Sequence, residues 1–136
     1  NQYYGGDSST VSQDIASDVI SITSTDESFA ALKSDGSVVS WGSYIDQSGV
    51  ASELISGVIN VFSAYNCFAA LKNDGSVVVW NGGACSDTSN VTSEITSDVI
   101  EIYSTKEAHS GAFAAIKSDG SVVHGVNQIT GQIAVR

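Results

Sequence analysis

One pattern of apolar and polar positions is written three times along the chain. Residues 29–41 read FAALKSDGSVVSW, residues 68–80 read FAALKNDGSVVVW, and residues 113–124 read FAAIKSDGSVVH. In each copy two apolar runs flank an Asp-Gly pair, at Asp35-Gly36, Asp74-Gly75 and Asp119-Gly120. A two-residue loop with positive φ at both positions suits Asp and Gly, so each copy reads as a tight β-hairpin. If Asn73 pairs with Ser76, Leu71 faces Val78 and Ala69 faces Trp80, with Ala70 opposite Val79 on the other side. Both faces of that hairpin are apolar. A hairpin wet on one side would alternate, so the pattern predicts cover on both sides.

A further apolar segment precedes each hairpin, at residues 19–22, 58–62 and 99–103. Before it lie residues 11–15, 50–54 and 91–95, introduced by Thr10, Gly49 and Asn90 as N-caps and carrying Asp14, Glu53 and Glu94 where an acid favours a helical turn. The unit is a turn of helix or an extended linker followed by three antiparallel strands. Self-similarity at about 40 residues indicates propellers or stacked arrays. The repeats run over 1–42, 43–82 and 83–125, within one domain spanning 1–136, and 126–136 is a tail or a closing strand built on Ile129, Gly131, Ile133 and Val135.

The order V-x-x-(I/V), a gap, then F-A-A-L-K-x-D-G-S-V-V-x-W-G resembles the blade of the regulator-of-chromosome-condensation repeat family. It is most similar to the short three-stranded blades of the propeller-type beta-lactamase inhibitory proteins, with Ser-Gly-Val at 56–58 and Trp-Gly at Trp41-Gly42. The third copy has His124-Gly125 where Trp-Gly is expected, and Pro is absent throughout. The resemblance implies an all-β fold of three blades from a β-propeller. Family rings hold about seven blades, so three form an incomplete propeller, to be completed by self-association or by further chain. A threefold β-trefoil or β-prism is the alternative that closes as a monomer.

Charge narrows the function. A net charge of −10 with five Lys and Arg argues against nucleic acid, whose binding draws on clustered basic residues, and against anionic membranes. No apolar run reaches the ~20 residues that span a bilayer. The acidic, Ser-rich composition suits an extracellular or cell-surface protein.

Candidate chemistry is sparse. His109 and His124 have no metal-ligand partner at a recognised spacing, and His124 in a Trp position reads as a packing residue. No G-x-S-x-G elbow is present, and we expect neither an enzyme nor a cofactor. The Asp-Gly sites lack the further oxygen ligands of a calcium loop, and Asp7, Asp46 and Asp87 read as solubilising loop residues ahead of calcium ligands. Asn90-Val91-Thr92 is a glycosylation sequon. Trp41, Trp80, Phe29, Phe68 and Phe113 occupy repeat positions and are expected in the core between blades. Cys67 falls opposite Gly82 in the assumed register, three residues short of Cys85. A bend at Gly82-Gly83 would bring the pair within the roughly 4.4–6.8 Å of Cα separation that a disulfide needs; the alternative is two small apolar residues.

The expected role is a non-enzymatic protein-binding module. In the inhibitory-protein branch, partners dock on loops between the first two strands and after Trp-Gly. By position these are residues 25–27, 65–66, 105–110, 44–47 and 82–84, the long third loop being the main excess in the 45-residue step from Phe68 to Phe113 over the 39 from Phe29 to Phe68. The candidate partner-binding residues are Tyr3, Tyr4, Asp26, Tyr44, Asp46, Tyr65 and His109. Two exposed flanks also imply self-association. A carbohydrate-binding lectin or a structural spacer of a large surface protein are the other readings.

Overall fold

The computed structural model describes residues 5–81, 92–105 and 111–125. Strands β1 (Val19–Ser24), β2 (Ser28–Lys33) and β3 (Val38–Gly42) form one antiparallel sheet in that order. β4 (Val58–Ser63), β5 (Phe68–Lys72) and β6 (Val77–Trp80) form the second, and β7 (Val99–Ser104), β8 (Phe113–Lys117) and β9 (Val122–Gly125) the third. Among the described residues no strand pairing joins one sheet to another. The three sheets are blades, and the threefold trefoil or prism is set aside.

The hairpin turn differs from the sequence expectation, and the whole register moves with it. Asn73 does not pair with Ser76. Lys72 N–H donates to the Ser76 carbonyl at 2.9 Å, and Gly75 N–H donates to the Lys72 carbonyl at 3.0 Å. Only Gly75 takes positive φ, at 80°; Asp74 is not among the positive-φ residues. This is a three-residue loop, a β-turn over Asn73-Asp74 followed by glycine in a G1 bulge. The aspartate explains the choice. Its Oδ1 accepts Ser76 N–H at 2.9 Å and Ser76 Oγ–H at 2.6 Å, a local bond pattern that stabilises the turn with Asp outside the left-handed region. The same pair of bonds recurs from Ser37 to Asp35 and from Ser121 to Asp119.

One residue of extra loop changes every cross-strand partner. Phe68 lies opposite Trp80, Ala69 opposite Val79, Ala70 opposite Val78 and Leu71 opposite Val77. The Phe68 and Trp80 rings consequently stack at 5.3 Å between centroids, as Phe29 and Trp41 do at 5.4 Å. In the third blade Phe113 faces Gly125 and Ala114 faces His124. His124 therefore does not replace a Trp. Gly125 does, and His124 occupies the place of Ser40 and Val79, which face Ala30 and Ala69.

The helical segments are single 3-10 turns at Ser9–Val11, Ala51–Glu53 and Thr92–Glu94. Ser8 and Val50 are the N-caps of the first two, not Thr10 and Gly49, and neither makes a side-chain cap bond; Asn90 lies outside the described residues. The turns are fastened at their other end. Lys72 and Lys117 extend Nζ to the carbonyls of Glu53 and Glu94, the last residues of their turns, at 2.8 and 3.0 Å, and Lys33 does the same at 2.6 Å to Asp14, three residues past the first turn.

Consecutive blades are tied by backbone bonds. Val38 N–H donates to Leu54 and Val77 N–H to Ile95, both at 2.9 Å, so each connector runs along the outer strand of the preceding blade. Val58 N–H donates to Gly36 and Val99 N–H to Gly75, both at 3.0 Å, so each first strand starts on the preceding hairpin turn. The apolar cores lie between blades. Ala30, Leu32 and Val38 of the first meet Val58, Val61, Phe68, Ala70, Val78 and Trp80 of the second. Ala69, Leu71, Val77 and Val79 of the second meet Val99, Ile102, Ala115 and Val123 of the third.

Candidate recognition loops

The antiparallel order fixes two unlike ends. The β2–β3, β5–β6 and β8–β9 hairpin turns all lie at one end, and they repeat the same Asp-Gly-Ser chemistry. The β1–β2, β4–β5 and β7–β8 loops lie at the other, together with the chain leaving β3 and β6. Here the repeats diverge: residues 25–27 read TDE, 64–67 read AYNC, and 105–112 read TKEAHSGA.

Each blade closes this end by its own means. In the first, Thr25 Oγ1 accepts Ser28 N–H at 3.1 Å and lies 2.7 Å from Ser28 Oγ, while Thr25 N–H donates to the Ser28 carbonyl at 2.9 Å. Buried Asn81, leaving the second blade, donates Nδ2–H to Ser28 Oγ at 3.2 Å, so one hydroxyl joins two blades. In the second blade Ala64 and Cys67 occupy the Thr25 and Ser28 positions. Both are buried and pack with Phe113, and Cys67 is disulfide-bonded. Cys85, its expected partner, lies outside the described residues. In the third, Ala112 N–H donates to Thr105 Oγ1 at 3.1 Å. Gly111 sits so tightly on the second blade that a Cβ there would come within 2.6 Å of Tyr65 N. Asn81 stands in the sequence only as a departure from Gly42 of the first Trp-Gly, and Ser28 is unmarked; the bond between them arises only once neighbouring blades meet.

The candidate residues fall on this end as follows. Asp26 is exposed in the β1–β2 loop. Tyr44 follows β3, 79 % exposed and with φ of 59°. Ser43 N–H donates to the Glu27 carbonyl at 2.9 Å, which ties the segment carrying Tyr44 to the loop carrying Asp26. Tyr65 is half-buried in the β4–β5 loop. Asp46 is exposed and accepts Ser48 N–H at 2.9 Å and Ser48 Oγ–H at 2.7 Å, bonds that hold its carboxyl below the usual carboxylate range. Asp7 is lowered in the same way by Ser9. Tyr3, Tyr4, His109 and Asp87 lie outside the described residues. Beside Trp41 is a hollow of about 360 Å³ whose walls include Asp7, Thr10, Ser43 and Ile45. Among the described residues no group of His, Cys, Asp and Glu could hold a metal ion, and no helix is long and apolar enough to cross a membrane.

No protein-family model and no curated protein sequence matches this chain. A solved structure does. The crystal structure of Kap60 bound to yeast RCC1 (Prp20) matches with a TM-score of 0.51 at 15 % identity, over 76 % of this chain and 28 % of that one. The fold is that of a partial RCC1 propeller. This chain spans just over a quarter of the length of the chain it matches, and at that identity the likeness concerns the fold.

Proposed function

We propose that this RCC1-like chain is a non-enzymatic protein-binding module that takes its partner on the loop end. The observation that supports it is the contrast between the two ends. The turn end is uniform and bonded blade to blade, whereas the loop end varies from blade to blade and presents Asp26, Asp46 and a nearly bare Tyr44 on tethered backbone. Tyrosine on a held backbone buries large area at small entropic cost, which favours it in paratope-like surfaces. The acidic surroundings direct the reading to a partner with a basic face. A carbohydrate-binding role draws its support from a trefoil or prism, and the three separate sheets remove that support.

The test is differential capture from medium of the producing cells, with the chain immobilised and bound proteins identified by mass spectrometry. Three proteins are compared: wild type, a Tyr44→Ser/Asp26→Ala variant, and a Ser118→Ala variant at the turn end. A protein held by wild type and Ser118→Ala but lost by the loop variant supports the reading. Equal capture by all three overturns it.

A further inference from the structure

Repetition turns the joint between the first two blades into a template for the two outer flanks. Each blade has a leading face toward the preceding blade and a trailing face toward the next. In the second blade the leading face is Val58, Val61, Phe68 and Trp80, all at most 5 % exposed because the first blade covers them. The same positions in the first blade are Val19, Ile22, Phe29 and Trp41. Ile22 is 59 % exposed and the other three are half-buried, with the 3-10 turn at Ser9–Val11 lying against β3. The trailing face of the first blade is Ala30, Leu32, Val38 and Ser40, all buried. Its counterpart in the third blade is Ala114, Ile116, Val122 and His124, with Val122 41 % exposed and the others half-buried.

One polar position shows that these faces are matched. Trp80 Nε1–H donates to Ser40 Oγ at 3.1 Å across the first joint. At the second joint the Trp position holds Gly125, no indole arrives, and the residue in the Ser40 place is the apolar Val79. On the third blade's trailing face the Ser40 place is polar again, as His124, whose imidazole nitrogen can accept an N–H. An acceptor stands where a donor would come, and the open donor is Trp41 on the other flank.

We propose that the leading flank of one chain, through Ile22, Phe29 and Trp41, seats on the trailing flank of a second copy, against Ile116, Val122 and His124. The contact is heterologous, so the second copy's leading flank meets the first copy's trailing flank in the same way. Two copies of this 136-residue chain then bring their six described blades into one ring, within the usual range of about four to eight blades.

Light scattering across a concentration series tests this on the 136-residue chain, alongside Ile22→Glu and Val122→Asp. Both side chains are exposed in the single chain, and circular dichroism verifies that each variant keeps the fold. The expected result is twice the chain mass for wild type, the single-chain mass for each variant alone, and recovery of the doubled mass when the two variants are mixed, because one joint of the ring is then free of both substitutions. Trp41→Phe, which loses the indole N–H together with part of the ring's contact area, raises the dissociation constant by at least about fivefold to tenfold, the value of the hydrogen bond alone. Wild type at single-chain mass throughout overturns the proposal. So does a Val122→Asp protein that still dimerises, which would mean that like flanks meet. Loop variants such as Tyr44→Ser leave the mass unchanged, so this test and that of partner binding fail independently.

Discussion

The first and second blades carry nearly the same hairpin and live in different surroundings. Phe29 and Trp41 stack just as Phe68 and Trp80 do, yet the second pair is 0 % and 1 % exposed while the first is half-buried. Strand pairing is a property of the repeat, but burial is a property of the neighbour. The hairpin supplies an aromatic pair on its leading face, and only a preceding blade makes that pair a core.

The largest test of the comparison is Phe68→Ala against Phe29→Ala. Removing a fully buried ring costs about 3–5 kcal/mol through lost transfer energy and the cavity left behind. Phe29 starts half wet, so its loss should be markedly smaller. Urea unfolding of both variants measures the difference, and equal losses would mean that the first blade's leading face is already covered in solution.

The hairpin turns permit the same comparison with glycine. Gly75 and Gly120 have φ of 80° and 84°, so alanine costs about 1–2 kcal/mol at either from the left-handed backbone alone. At Gly75 a Cβ would also come within 2.6 Å of Asp98 N, where the next blade begins. At Gly120 it would meet nothing within 4 Å. Gly75→Ala should therefore lose a further ~1–3 kcal/mol, the usual range for forcing atoms into packed structure. A thermal shift no larger than that of Gly120→Ala would break the template on which the blades are joined.

Much of this was legible in the sequence, and the failures lie where local pattern leaves a choice. The three repeats, their strands and the all-β class follow from periodicity, because alternation and Asp-Gly punctuation are local. The register missed by one residue because Asp-Gly fits both a two-residue loop and a G1-bulged one. The serine two residues after each Asp tips the choice, through bonds of 2.9 and 2.6 Å that the apolar pattern does not register. His124 is misplaced independently of the register: counted along the repeat from Phe29, Phe68 and Phe113, the Trp41 and Trp80 position is Gly125 in the third copy, and His124 aligns with Ser40 and Val79. The site was less legible. Topology gathers Asp26, Tyr44, Asp46 and Tyr65 at one end, but the bonds that fix that end, such as Asn81 to Ser28, join residues 53 positions apart.

Between the joints the contrast is polar. Ser40→Ala leaves Trp80 Nε1–H buried without its acceptor and releases Gln47 Nε2–H, which also donates to Ser40 Oγ, at 2.6 Å. A stranded buried donor costs about 1–3 kcal/mol. Val79→Ala, the equivalent site at the second joint, strands no donor and should lose only what its partly buried side chain contributes by packing. A Trp80→Phe background separates the two effects, because there Ser40→Ala has no indole donor to strand and its cost should fall.

The smallest expected effect concerns the turns as a set. Asp35, Asp74 and Asp119 have carboxyls held below their usual range, first by the Ser hydroxyl two residues on and then by its backbone N–H. A carboxyl lowered in the folded state binds protons more readily in the unfolded chain, so stability rises with pH through the window between the two values. The contribution is complete above the ordinary aspartate range and is lost as pH falls through the folded values. All three groups are fully exposed, so the effect of each is slight and screened by salt. Asn at Asp74 keeps an amide oxygen for Ser76 but cannot titrate. The urea midpoint of Asp74→Asn should therefore lie below that of wild type at neutral pH and converge on it in acid. Parallel curves would show that the carboxylate's charge contributes nothing, and that the Asp-Gly-Ser turn is chosen for its geometry alone.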